Sequence, residues 1–187
     1  MRRLIYLVVV INFLLIFTPG QYCYAADSKL ELDWDYLTTS NNDRDLDTVS
    51  LHILEKISEK KNKSIYRGIT ITRPIGNVTL ENQTHSQESS AVGIGPIYMI
   101  RTEKHYSGKL LAALDISGGV ILYDKPFPAG GRYYNFMWRV GPKLIYKFND
   151  SSSVNVGYTL MHVSNGFRTH NPGYDTRGVS VGFVSNF

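Results

Sequence analysis

Ser152-Ser-Val-Asn-Val-Gly-Tyr-Thr-Leu-Met-His-Val-Ser164 is the stretch whose reading decides the fold. Val154, Val156, Tyr158, Leu160, His162 and Ser164 fall on one face of an extended chain, and Ser153, Asn155, Gly157 and Thr159 fall on the other. A period of two is the period of a β-strand, so an apolar face ends in a histidine and a serine. The following stretch, Asp175 to Phe187, repeats the pattern. Asp175, Arg177, Val179, Val181, Phe183 and Phe187 alternate with Gly178, Ser180, Gly182 and Asn186.

Working back along the chain, the same alternation marks eight segments, at about 29–38, 46–57, 64–74, 91–101, 109–124, 133–148, 152–164 and 175–187, each long enough to cross a bilayer as a tilted strand. Tyr134, Phe136, Trp138, Val140, Leu144 and Tyr146 oppose Asn135, Arg139, Lys143 and Lys147; Leu110, Ala112, Leu114, Ile116, Val120 and Leu122 oppose Lys109, Asp115 and Ser117. A soluble sandwich also alternates, and the pattern alone does not separate the two. The even strand count, the aromatic residues toward strand ends and the alternating link lengths favour an all-β, eight-stranded antiparallel up-and-down transmembrane barrel. Short links at Ser58–Lys63, Thr102–Gly108 and Asn149–Ser151 belong at the periplasmic end; Asn77–Ser90, Lys125–Arg132 and Asn165–Tyr174 belong outside. The terminal Phe187 resembles the aromatic assembly signal of bacterial outer-membrane barrels. Glu55 and Arg67 fall on the apolar face, which places them near the rim or else signals a register one residue off.

The address agrees with that fold. Arg2 and Arg3 precede an apolar run from Leu4 to Phe17, then Pro19-Gly20 and the small-residue site at Cys23-Tyr24-Ala25. This predicts a signal peptide over residues 1–25 and one barrel domain over 26–187. Cleavage removes two of 20 basic residues, leaving 18 against 16 acidic ones, a balance that gives nucleic-acid binding no support. It also removes Cys23, the one cysteine, and with it any disulfide. Asn77-Val-Thr and Asn82-Gln-Thr match glycosylation acceptors, a chance match at a bacterial outer-membrane destination.

A serine hydroxyl becomes a nucleophile when a base removes its proton, and a carboxylate holds that base in the right tautomer. His162, Ser164 and Asp175 supply these parts and share a face across one hairpin. The intervening loop has Gly166 and Gly173 to bring backbone N–H groups near Ser164 as an oxyanion hole, and Arg168 and His170 to meet substrate phosphates. His-x-Ser also arises by chance, and Asn-Pro-Gly is ordinary turn chemistry, so spacing leaves the catalytic reading open.

His162-Val-Ser164-Asn165 followed by Asn171-Pro-Gly173-Tyr-Asp175 resembles the signature of the outer-membrane lipid A 3-O-deacylases, PagL and its relatives. Gly95–Arg101, Gly118-Gly119, Tyr134–Phe136 and Gly141–Tyr146 follow in the order of that family's strands. The resemblance implies a serine esterase that removes the 3-O-linked acyl chain of lipid A or lipopolysaccharide at the outer leaflet. Ser164 is then the nucleophile, His162 the base, Asp175 its orienting acid, and amides around Asn165, Gly166, Asn171 and Gly173 receive the oxyanion. The family has Glu where this chain has Asp175, so a shorter side chain must reach His162. No cofactor or metal is implied. The partners are the lipid substrate and the outer-membrane barrel assembly machinery, with a homodimer left open. Two other readings stand beside this one: an inactive barrel with a structural, adhesion or defence role, and a channel. Against the channel, an eight-stranded interior is filled by side chains, here inward Glu31, Asp115, Arg139 and Lys143.

Overall fold

The computed structural model describes residues 29–39, 44–80, 84–166 and 172–186. The predicted signal peptide with Cys23, the loop residues Arg168, His170 and Asn171, and Phe187 lie outside the described residues.

The chain runs through β1 (Lys29–Thr39), β2 (Arg44–Lys60), β3 (Lys63–Thr79), β4 (Ser86–Glu88), β5 (Gly93–Ser107), β6 (Leu110–Phe127), β7 (Arg132–Lys147), β8 (Ser152–Ser164) and β9 (Tyr174–Asn186). Every long strand is antiparallel to both neighbours, β1 pairs with β9 as well as β2, and the ring therefore closes. Closure leaves no long strand with unpaired backbone groups on both sides of the sheet, the condition for a sheet in hydrocarbon. The three-residue β4 adds a short pairing to the end of β3, opposite 77–79.

The alternation resolves into charge inside and hydrocarbon outside. On β1, Glu31, Asp33 and Asp35 are 0% exposed while Trp34 and Tyr36 are 57% and 50% exposed. Leu114, Ile116 and Leu122 on β6, Leu144 on β7, Val156 and Leu160 on β8, and Val179, Val181 and Phe183 on β9 continue the apolar exterior. A soluble sandwich buries its apolar face, so this inversion excludes it and identifies the wall as lipid-facing. Glu55 and Arg67 do point outward, and they sit directly opposite each other and form a 3.0 Å ion pair. The register is therefore the one read from the sequence, with no slip.

The strands run further than the alternation suggests. The predicted short links at 58–63 and 102–108 are mostly strand, leaving turns of Lys61-Asn62 and Gly108-Lys109, and Lys125–Arg132 shrinks to 128–131. Lys61 at φ 57° and Gly108 at φ 40° supply the left-handed backbone that a tight hairpin needs to match strand twist. Polar extensions beyond the apolar belt carry no alternation, so their pairing is invisible in the sequence.

Inside, Arg101 binds two carboxylates at once. Its guanidinium donates to Glu31 Oε1 and Oε2 at 2.7 and 2.8 Å and to Asp115 Oδ1 and Oδ2 at 2.7 Å each. Lys143 Nζ donates to Asp33, Arg139 donates to Asp35 Oδ2 at 2.5 Å, His52 Nε2 lies 3.2 Å from the same Asp35 oxygen, and Asn155 donates to Glu31 at 2.9 Å. The predicted inward residues Glu31, Asp115 and Lys143 thus share one network with Arg101 and Asp33, and Arg139 forms a second cluster with Asp35 and His52. Toward the site end, Tyr123, Phe127 and Tyr174 pack as an apolar plug, with ring centroids 4.8 Å apart for Tyr123–Phe127 and 5.5 Å for Phe127–Tyr174.

Breaking a buried ion pair by removing one partner strands the other charge. Arg101→Leu leaves Glu31 and Asp115 without their fork and is expected to destabilise the barrel by about 3 kcal/mol or more. Urea unfolding of the refolded barrel in vesicles measures this, and an unshifted midpoint would contradict a stabilising network.

Candidate active site

β8 ends and β9 begins at the same end of the barrel, and their register sets His162 directly across from Asp175. Met161, Val163 and Tyr174 are buried in the interior, so alternation turns their neighbours His162, Ser164 and Asp175 outward. Tyr174 matters most here. Its ring meets Phe127 edge-on inside the barrel and so fixes which way the next residue points.

His162 Nδ1 and Asp175 Oδ1 are 2.7 Å apart, a charge-assisted distance. An ionised carboxylate only accepts, so Nδ1–H donates and Nε2 keeps the lone pair that a general base uses. The shorter aspartate side chain therefore spans the gap to the ring. The pair is open to the surroundings, with side-chain exposures of 32% for His162 and 69% for Asp175. Ser164 lies two residues along β8 on the same face and is half-buried. Its hydroxyl makes no hydrogen bond to His162 among the described residues. A gap of this kind is common in ligand-free hydrolase sites.

Two further contacts build the surroundings. Trp138 on β7 is paired with His162 and stacks on its ring, with centroids 5.7 Å apart and planes at 26°. The imidazole is thus held between an indole on one strand and a carboxylate on the next. Phe136 is paired with Ser164, and its ring lies against Gly166. Trp138 was legible as part of an outward aromatic stripe, yet its place beside His162 was not, because that depends on the offset between β7 and β8.

Both glycines of the loop are required. Gly166 adopts φ 81°, a left-handed conformation that glycine takes without a steric cost. A Cβ on Gly173 would lie 2.9 Å from the Val163 carbonyl oxygen and 3.0 Å from Ser164 Cβ, so the chain returns tightly against the serine. Asn165 is buried. Of the sequence-predicted site residues, His162, Ser164, Asp175, Asn165, Gly166 and Gly173 come together here. Among the described residues, no group of three His, Cys, Asp or Glu assembles in a metal-holding arrangement.

The model of one protein family, Lipid A 3-O-deacylase (PagL), matches residues 29–184. Among solved structures, the crystal structure of the outer membrane enzyme PagL is similar at 13% identity and a TM-score of 0.49, covering 87% of this chain and 100% of that one. OmpT lacking loop L8, an outer membrane protein of Vibrio cholerae, is similar at 11% identity and a TM-score of 0.26, covering 91% of this chain and 68% of that one. The curated proteins contain no match.

Gly173→Ala forces the loop away from Ser164. Labelling of Ser164 by a fluorophosphonate is expected to fall about 100-fold, the scale of a displacement near 1 Å at a reacting group, while the heat-modifiable mobility of the folded barrel persists. Undiminished labelling would contradict the close approach.

Proposed function

Because this chain belongs to the lipid A 3-O-deacylase (PagL) family, whose model matches residues 29–184, we propose that it is an outer-membrane serine esterase acting through Ser164, His162 and Asp175. The observation that carries the reading is the 2.7 Å pair of His162 and Asp175 beside Ser164 on the outward, lipid-facing wall. A histidine and a carboxylate in that position are costly to keep in hydrocarbon without a function. A base already oriented by an acid, next to a hydroxyl, is what ester hydrolysis needs.

In the proposed reaction Ser164 Oγ attacks the carbonyl carbon of the 3-O-linked acyl ester, and His162 Nε2 takes its proton. Asp175 stabilises the imidazolium through Nδ1 without itself accepting the proton. The tetrahedral oxyanion is met by backbone N–H groups of the loop that follows Ser164, from Asn165 and Gly166 through Asn171 to Gly173. Collapse breaks the bond to the sugar oxygen, which leaves with the proton from His162. Water, deprotonated by His162, then attacks the acyl-serine, releasing a fatty acid and restoring the hydroxyl. Because the triad faces lipid, the ester reaches it from the outer leaflet and the freed chain stays in hydrocarbon. Trp138 keeps the imidazole plane fixed through the two proton transfers. Arg168 and His170 belong to the same loop and are proposed to meet the substrate headgroup.

Mass spectrometry of lipid A from cells carrying the protein in their outer membrane tests this directly. The unmutated chain is expected to remove one hydroxyacyl group from the 3-position, and Ser164→Ala to remove none at matched levels of folded barrel. Asp175→Asn, which leaves the ring without an anionic partner, is expected to lower kcat by about 10⁴. Unchanged lipid A with the barrel folded, in a host where another deacylase is active, would overturn the reading in favour of a structural, adhesion or defence barrel.

A further inference from the structure

The wall on either side of the triad differs in chemistry. Toward β7 it is apolar and aromatic: Phe136 and Trp138 are paired with Ser164 and His162, and Val140 and Leu160 continue below them. Toward β1 and β2 it is polar. Arg177 shares the outward face with Asp175, two residues along β9, and is exposed. Its partner across β1 is Thr38, whose own partner on β2 is Asp47, and Asp47 Oδ2 accepts a 2.9 Å hydrogen bond from the Tyr36 hydroxyl. Below Arg177 the exterior of β9 is Val179, Val181 and Phe183.

Arg177 lies one step further along β9 from the loop than Asp175, between Thr38 on β1 and Leu160 on β8, and makes no hydrogen bond or ion pair among the described residues. Arg67, by contrast, is an outward strand cation directly opposite a carboxylate and is neutralised by Glu55 at 3.0 Å. The nearby carboxylates are committed elsewhere, Asp175 to His162 and Asp47 to Tyr36. A guanidinium offers two parallel donors that match a phosphate, and a lipid-facing one is stabilised by an anion that itself resides at the interface.

We propose that Arg177 is an anion subsite that takes a sugar phosphate of the substrate, so that the headgroup lies over β9, β1 and β2 while the scissile acyl chain runs toward Phe136 and Trp138 on β7. This deepens the deacylase reading and rests on it. Residues two apart on a strand are about 7 Å apart, and the flexible arginine stem reaches upward from its position in the wall. Phosphate and ester are thereby held at one spacing.

The test compares kcat and KM of the full chain, refolded in vesicles, on phosphorylated lipid A and on the same lipid A with its phosphates removed. Arg177→Met is expected to raise KM for the phosphorylated lipid about tenfold, the loss of roughly one charge-assisted hydrogen bond, with kcat unchanged and the dephosphorylated lipid turned over as before. Arg177→Lys is expected to recover part of the loss. Arg132→Met, which removes an exposed cation at the start of β7 on the other side of the site, is expected to change neither substrate. Equal loss on both lipids, no loss on the phosphorylated one, or the same loss in Arg132→Met would overturn the subsite and leave the esterase intact. If the unmutated chain hydrolyses neither lipid while its barrel is folded, the esterase reading fails and the subsite with it.

Discussion

Backbone amides in hydrocarbon have no water to bond to, and the pairing of β1 with β9 is the device that meets this constraint. Once the first and last long strands join, every strand has two faces and only one orientation of each is tolerable. Apolar residues go to the lipid, and whatever alternates with them goes inside. The polar interior is thus a by-product of closure before it is anything else. Four carboxylates, Glu31, Asp33, Asp35 and Asp115, and three cations, Arg101, Arg139 and Lys143, then have to find partners among one another in a narrow space.

They do so through long-range pairs. Arg101 reaches Glu31 across 70 residues of chain, Arg139 reaches Asp35 across 104, and Lys143 reaches Asp33 across 110. Each pair ties the N-terminal strand to the far side of the ring. Buried ion pairs of this kind often stabilise less than a hydrophobic core of equal volume, and their attested use is to specify register. A one-residue slip of β1 would point Glu31, Asp33 and Asp35 into lipid, strip Arg139 of its carboxylate and leave Arg101 and Lys143 with Asp115 alone. The site's surroundings depend on this indirectly, because the register of β1 against β9 settles what lies beside Arg177.

How far the sequence discloses all this varies with the range of the interaction. The facing of β6 to β9 is legible because Val, Ile, Leu and aromatic residues alternate with polar ones, and His162 and Asp175 can be matched because they share one hairpin. The strand ends were not legible: Lys60, Glu103 and His105 extend pairing beyond the apolar belt, where both faces are polar. Ser86-Gln87-Glu88 is exposed throughout and gives no sign of β4. Arg101 reads as an inward cation at best, since its partners sit on β1 and β6. Trp138 could be placed on a face but not beside His162. Local periodicity fixes orientation, and only the register of distant strands fixes neighbours.

The outward placement of the His162–Asp175 pair has a consequence for encounter. A site in a lumen samples ligand by volume, whereas one on the wall samples the sheet of molecules in which the barrel is embedded. For the proposed esterase, supply is then set by lateral diffusion and by the fraction of neighbouring lipids of the right kind, so dilution of the surrounding water leaves it unchanged. Crowding in the plane, tight packing of the leaflet or a protein lodged against β7 to β9 would starve it.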